Sequence, residues 1–206
     1  MAIVQPKLSR ADQKQLSERR LIEAALAIAD ERGVASVTFE SIAERAGYSR
    51  GLAFQKFGSK EKLIQAVTDF IFQQHMQLPD VLALSDMTGL AALEAHAAIQ
   101  LRGVQAQPHG SAYFRFFASV IADKTSGDRI FQNLHRLLRD IFEECLARGQ
   151  QDGSVRKLRS RAVAAEVFGT LLLGAILQTI ADPEANVEDF VSEIVTIARA
   201  RFSTNN

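Results

Sequence analysis

Gly47-Tyr48-Ser49-Arg50-Gly51 reads literally as G-x-S-x-G. In a hydrolase that pattern marks a sharp strand-to-helix turn that exposes a serine hydroxyl for attack on a carbonyl. The same letters suit a turn between two short helices, with Ser49 capping the second. The two readings need different neighbours. A nucleophile needs a buried strand before it and a histidine and a carboxylate after it, on a parallel sheet. The residues before Ser49, "FESIAERAG", carry charges and alanines at helical spacing, which does not describe a buried strand. Asp128 and His135 follow in the required order, but their spacing places both on one helix. A serine hydrolase is therefore the remote alternative. The protein is expected not to be an enzyme, and no catalytic residue is assigned.

The helix–turn–helix reading finds what it needs between Thr38 and Phe57: a short first helix, a glycine turn and a second helix with a polar side. Thr38 can cap the first helix, Ile42, Ala43 and Ala46 form its inner face, and Gly47 stops it. Ser49 caps the second. Arg50 can read guanine bidentately, Gln55 can read adenine, and Lys56 can neutralise phosphate. Lys60 opens the next helix, where its ammonium and the free backbone N–H groups could hold another phosphate.

Composition is consistent with this division of labour. The 206 residues have a net charge of zero. Residues 1–60 hold ten Lys and Arg against seven Asp and Glu, so phosphate binding is expected at the front of the chain. Cys145 is alone, which excludes an intrachain disulfide and fits a reducing compartment, and it reads as a small hydrophobe. Residues 1–20 lack the apolar core of a signal peptide. The uncharged run Val167–Ala181 is 15 residues long, against the roughly 20 of a membrane span, and reads as a buried helix. A cytoplasmic protein without a membrane partner is expected. The four histidines form no i, i+4 pair, so no metal or cofactor is expected either.

Apolar periodicity and punctuation by Gly and Pro predict an all-α chain of about nine helices. They fall near 13–32, 39–46, 50–57, 60–78, 87–107, 111–123, 127–150, 160–181 and 187–202, with residues 1–11 frayed.

The stretch "RRLIEAALAIADERGVASVTFESIAERAGYSRGLAFQKFGSKEKLIQAV" closely resembles the DNA-binding domain of the TetR family of bacterial transcriptional regulators. The resemblance covers about residues 16–76. It implies a helix–turn–helix domain over 12–76, with the motif at 38–57. It also implies a C-terminal effector-binding and dimerisation domain over 77–206, and a homodimer on a palindromic double-stranded operator. On this pattern Thr38, Arg45, Tyr48, Ser49, Arg50, Gly51, Phe54, Gln55, Lys56 and Lys60 are the expected DNA-binding residues.

Five positions, in three places, depart from the family's habit. An aromatic is usual at Ala29 and a smaller aliphatic at Phe39, so here Phe39 is expected to fill the space Ala29 leaves. Tyrosine is common at Phe54, and Phe54 cannot donate a bond to phosphate. Tyr48 or Ser49 could supply that contact, or Tyr48 could simply pack over the turn. At Leu52-Ala53 the usual small-then-Leu order is reversed. Ala53 is expected to face the core, with Leu52 touching a thymine methyl or a neighbouring helix.

The 160–181 helix is apolar on nearly every side, so a partner subunit is expected to cover one face. Val163, Val167, Leu171, Gly174 and Gln178 form its stripe. Phe190, Val191, Ile194, Ile197 and Ala198 add the last helix. Together these are the expected dimer interface, a four-helix bundle in the resembling family. The run "AYFRFFASVI" is either core or the wall of an apolar effector cavity. The cavity would be lined by His96, Gln100, Tyr113, Phe114, Phe117, Phe131, Leu134, His135, Leu138, Phe168 and Leu172, with Arg115 a further polar candidate. The function expected is a repressor released from its operator by a small apolar effector. A helical regulator whose C-terminal domain binds a protein instead is the alternative.

Overall fold

A computed structural model describes residues 9–76, 81, 83–106, 110–122 and 128–204, without the side chains of 75, 76, 113, 117, 120–122, 128–135 and 137. The described residues form nine α-helices: α1 Arg10–Arg32, α2 Phe39–Ala46, α3 Arg50–Phe57, α4 Lys60–Met76, α5 Gly89–Ala106, α6 Ala112–Ala122, α7 Asp128–Asp152, α8 Arg161–Ala181 and α9 Val187–Phe202. Among the described residues the only β pairing is a single bridge between Val155 and Ser203. The chain is all-α, as its periodicity predicts.

Local chemistry sets the helix ends. α1 starts three residues earlier than expected, because Ser9 and Asp12 form a capping box: the Asp12 N–H donates to Ser9 Oγ at 3.1 Å and the Ser9 N–H to Asp12 Oδ2 at 3.2 Å. Part of the segment expected to fray is therefore helical. Thr38 and Ser41 make the same reciprocal pair at the start of α2. Asn186 caps α9, whose first turn carries Glu188 and Asp189 and whose last turn carries Arg199 and Arg201, matching the helix dipole.

Two cores form. The first gathers α1–α4 around Leu21, Ile28, Ile42, Ala53, Leu63 and Val67, all essentially inaccessible to solvent. It also takes in Ala112 and Phe116 from α6. The C-terminal segment thus contributes two fully buried residues to the N-terminal core. Beside them the Ser111 hydroxyl donates to Asp30 Oδ1 at 3.3 Å, a second tie between α6 and the end of α1.

The second core joins α5, α7, α8 and α9. An edge-to-face chain of rings, His96–Phe142–Phe168–Phe202, runs through it at centroid spacings of 5.5, 5.4 and 6.1 Å. Two bidentate pairs set the register of α5 against α9: Arg102 with Glu188 and Glu94 with Arg199. The pairs join opposite ends of the two helices, so α5 and α9 run antiparallel. Such exposed pairs add little energy each, but they favour one register.

α5 and α7 meet backbone to backbone. A Cβ at Gly89 would collide with the Gly149 backbone and the Cys145 carbonyl. Asp152 locks the same junction, accepting from the Gly89 N–H at 2.7 Å and the Ser154 N–H at 2.9 Å. The Ser154 side chain first, then the Gly89 and Ser154 N–H groups, hold its carboxyl below the usual range. Burial pushes the Cys145 thiol up, as suits an inert small hydrophobe in a core.

α8 is long and apolar enough by composition to cross a membrane, yet only 28% of its apolar window is buried within the chain. Ala165, Phe168, Leu172 and Ile176 point into the second core, while Val163, Val167 and Leu171 are exposed at 58%, 63% and 38%. One apolar stripe of the helix therefore has nothing among the described residues to cover it, and this is the helix for which a partner subunit is expected to cover one face.

Gly89→Ala is expected to destabilise the protein by about 1–3 kcal/mol, because the colliding atoms are backbone and cannot rotate away. Urea unfolding of both forms measures the difference, and an unchanged midpoint would refute the close approach.

Candidate nucleic-acid interface

The turn between α2 and α3 is built by two short hydrogen-bonded devices. Gly47 is left-handed at φ 73°, and its N–H donates to the Glu44 carbonyl while the Tyr48 N–H reaches back to the Ala43 carbonyl at 2.8 Å. This is a Schellman motif, and its left-handed residue is best supplied by glycine. Ser49 then opens α3, its Oγ accepting from the Leu52 N–H at 3.2 Å. The hydroxyl that an elbow would aim at a substrate serves as a helix cap. A helix, not a strand, precedes it, and Asp128 and His135 both lie in α7.

α3 buries Ala53 and Phe57 in the first core, half-buries Leu52, and exposes Arg50, Gly51, Phe54 and Gln55. The exposed four form one continuous arc, since residues three and four apart share a helix face. Among the described residues Arg50 and Gln55 make no hydrogen bond or ion pair, so their donors are available. A Cβ at Gly51 would meet Ser49 Oγ at 3.9 Å, so nothing among the described residues demands glycine there. Lys60 is exposed at the start of α4, where Ser59 Oγ accepts from the Lys62 N–H at 3.3 Å. Thr38 is exposed and occupied with capping.

Three residues of the expected set are otherwise engaged. Lys56 is turned away from the exposed arc. Its side chain is 8% accessible, and Nζ donates to the Lys14 carbonyl at 2.5 Å, with Glu18 at 3.9 Å. It pins α3 to α1 rather than offering a charge to phosphate. Arg45 makes a two-pronged pair with Glu31 at 2.6 and 2.7 Å, which ties α2 to the end of α1 and raises the guanidinium pKa. Tyr48 is half-buried and packs against the first core, so packing over the turn is the alternative the geometry favours. Glu18 and Glu31 carried no sequence signal, because their partners lie 38 and 14 positions away.

Phe39 does not enter the core as fully as a volume swap with Ala29 requires. It is half-buried against the first core, and its ring meets that of Phe54 edge-on, 5.6 Å between centroids and 83° between planes. The two departures from the family's habit therefore touch each other.

The family model of the bacterial regulatory proteins, tetR family, matches residues 21–67, which run from α1 into α4 and enclose this turn. The helices from α1 into α4 are thus similar to those of that family. Over 67 residues the chain is 37% identical to the HTH-type transcriptional regulator TtgR of Pseudomonas putida. That match spans 32% of this chain and 32% of the length of that regulator. Two solved structures extend the likeness in fold over most of the chain. SmeT, the repressor of the Stenotrophomonas maltophilia multidrug efflux pump SmeDEF, aligns with a TM-score of 0.76 at 20% identity, over 94% of this chain and 93% of that one. NemR of E. coli in its reduced form aligns with a TM-score of 0.76 at 16% identity, over 92% and 100%.

In the C-terminal segment the expected sites fare differently. The side chains of Tyr113, Phe117, Phe131, Leu134 and His135 lie outside the described residues. His96, Phe168 and Leu172 are buried members of the second core, and Phe114 packs against it. Leu138 is half-buried on α7. Gln100 lies one turn after His96, and its buried Nε2 finds no hydrogen-bond acceptor among the described residues. On the expected dimer face, Val163, Val167, Leu171, Gly174, Gln178 and Ile197 are exposed. Val191, Ile194 and Ala198 are instead buried in the chain's own core at 7%, 3% and 0% exposure, and Phe190 is half-covered by it. The last helix faces inward along that stripe because α5 lies against it.

Lys56→Met should lower the melting temperature by removing the tie to α1 while leaving the salt dependence of DNA binding unchanged. A phosphate contact at Lys56 would instead reduce the slope of log K against log salt by about one. Titrations of the full-length protein on a random-sequence duplex at several salt concentrations separate the two.

Proposed function

We propose that the protein is a homodimeric, sequence-specific DNA-binding transcriptional regulator, a repressor released from a palindromic operator by a small apolar effector. The observation that carries the reading is the exposed arc of α3. Arg50, Gly51, Phe54 and Gln55 project from a helix held rigidly by its caps, by Ala53 and Phe57 in the core, and by Lys56 on α1. α3 enters the major groove, where Arg50 and Gln55 address base edges. Lys60 and the free N–H groups at the start of α4 address phosphate. Gly51, which nothing among the described residues requires, leaves the helix surface low enough for close approach of the DNA backbone.

The uncovered stripe of α8 supports the second half of the reading. Val163, Val167 and Leu171, with Gly174 open beside them and Ile197 on α9, form an apolar face that a second copy can bury about a two-fold axis. Two α3 helices on one axis read two copies of one half-site, which makes the operator an inverted repeat. For the effector, the support is the buried Nε2 of Gln100, which has no acceptor among the described residues in an otherwise apolar interior. Among structural relatives, SmeT has been seen in complex with triclosan and RolR with resorcinol. α6 links the two functions, since Phe116 sits in the DNA-binding core while Phe114 packs on the second core. An effector that prefers one position of α6 shifts the population of dimers whose α3 spacing matches the operator.

Selection from a random duplex library with the full-length protein tests the reading: an inverted-repeat consensus is expected, and equal binding to all duplexes would sink it. Leu171→Glu places a charge on the α8 stripe. It should yield a monomer by sedimentation and weaken binding to the selected duplex at least tenfold, whereas a dimer of unchanged stability would refute this interface. Gln100→Leu should reduce the thermal shift produced by whichever small aromatic compound of a test panel stabilises the wild type.

A further inference from the structure

An exposed phenylalanine on a surface otherwise made for polar contacts needs a reason. Phe54 is 58% exposed at the middle of the α3 arc, with Arg50 one turn before it and Gln55 beside it. Outside α8 and α9, Met87 is the other large hydrophobic side chain exposed among the described residues. The ring of Phe54 is held in place by the ring of Phe39, the first residue of α2, in the edge-to-face contact at 5.6 Å. Such a contact orients an aromatic and contributes about 0.5–1.5 kcal/mol. It gives the exposed ring a definite aim that a lone surface side chain lacks.

The chemistry of the ring narrows its partner. It carries no donor for phosphate and no group that can bond a base edge. The major groove offers one strongly apolar feature, the C5-methyl of thymine, and phenylalanine is among the side chains that contact it. We propose that Phe54, aimed by Phe39, is a specificity-determining residue that selects thymine through its methyl group at one position in each half-site. This rests on the proposed DNA-reading role of α3. Phe39 acts as a positioning residue, and the aromatic pair makes an apolar reading element between the polar readers Arg50 and Gln55. Leu52 is half-buried and turned from the arc, which leaves Phe54 as the apolar group presented.

The test removes the methyl from the DNA and leaves the protein alone. Full-length protein is first used to select a consensus from random duplexes. Each selected thymine is then replaced by deoxyuridine, and affinity is measured by fluorescence anisotropy. At one thymine per half-site, the loss for the wild type should be about 3–5-fold, the contribution of one buried methyl. Phe54→Ala should bind the thymine and uracil duplexes equally. Phe54→Leu should keep part of the preference, and Phe39→Ala should reduce it while leaving Phe54 in place. 5-Methylcytosine in place of cytosine at that position should recover part of the affinity. The proposal is overturned if a consensus emerges with no thymine whose methyl matters to the wild type, or if the uracil penalty is the same in Phe54→Ala. If no consensus emerges at all, the DNA-reading role itself fails. Phe54 is mostly solvent-exposed, so its variants are expected to retain the wild-type circular dichroism. The wild-type uracil series stands even without them.

Discussion

One buried ring joins the two halves of this chain. Phe116 belongs by sequence to the C-terminal segment, yet it lies fully buried among the side chains of α1–α4. Burying a phenylalanine of this kind contributes about 2–3 kcal/mol, a large part of a typical domain's net stability. Ala112, one turn before it, is as deeply buried, and the hydroxyl of Ser111 holds Asp30 at the end of α1. α6 is therefore a shared element. Its other side meets the second core through Phe114, so a displacement of α6 relative to that core carries the helix–turn–helix with it. Packed interiors resist gradual deformation, so such an element tends to occupy discrete positions. In the proposed mechanism, that is the physical basis on which a signal in the C-terminal core would reach α3.

The rigidity of the proposed DNA-facing element comes from charges paired internally. Two cations that a linear reading offers to phosphate, Arg45 and Lys56, are used to fasten α2 and α3 to α1. The surface is left with fewer cations. In return the short helix has its position fixed by a core, two caps and a buried ammonium. An eight-residue helix has little stability of its own, so its geometry depends on these ties. With both cations withdrawn, the exposed arc is left to Arg50, Gln55 and the aromatic pair.

The C-terminal half is organised the opposite way. A chain of rings runs through its mainly aliphatic interior, from His96 through Phe142 and Phe168 to Phe202. α8 supplies side chains to that interior from one face and keeps an equally apolar face outside it. α9 does not share that exposure evenly, because its Val191, Ile194 and Ala198 are drawn inward by α5 and locked in register by Arg102–Glu188 and Glu94–Arg199. In the proposed dimer, α8 then provides most of the apolar contact and α9 its edge.

Much of this was legible in the linear chain because it is local. Helix number, most helix ends, the caps at Thr38 and Ser49 and the turn at Gly47 follow from residues within a few positions of one another. The match of spacing from Thr38 to Phe57 likewise separated a helix cap from a nucleophile at Ser49. The capping box at Ser9 was equally local and equally readable, and it starts α1 earlier than apolar periodicity alone implies. What depended on the tertiary structure was the fate of long side chains. Lys56 and Arg45 could face DNA or α1 on sequence grounds, and only the position of Glu18, Glu31 and the Lys14 carbonyl decided it. The pairing of Phe39 with Phe54, the entry of Phe116 into the first core and the division of α8 and α9 into inner and outer faces were decided the same way. Periodicity states which residues share a helix face. It cannot state which neighbouring helix will cover that face, because the covering residues lie tens of positions away and are chosen by packing.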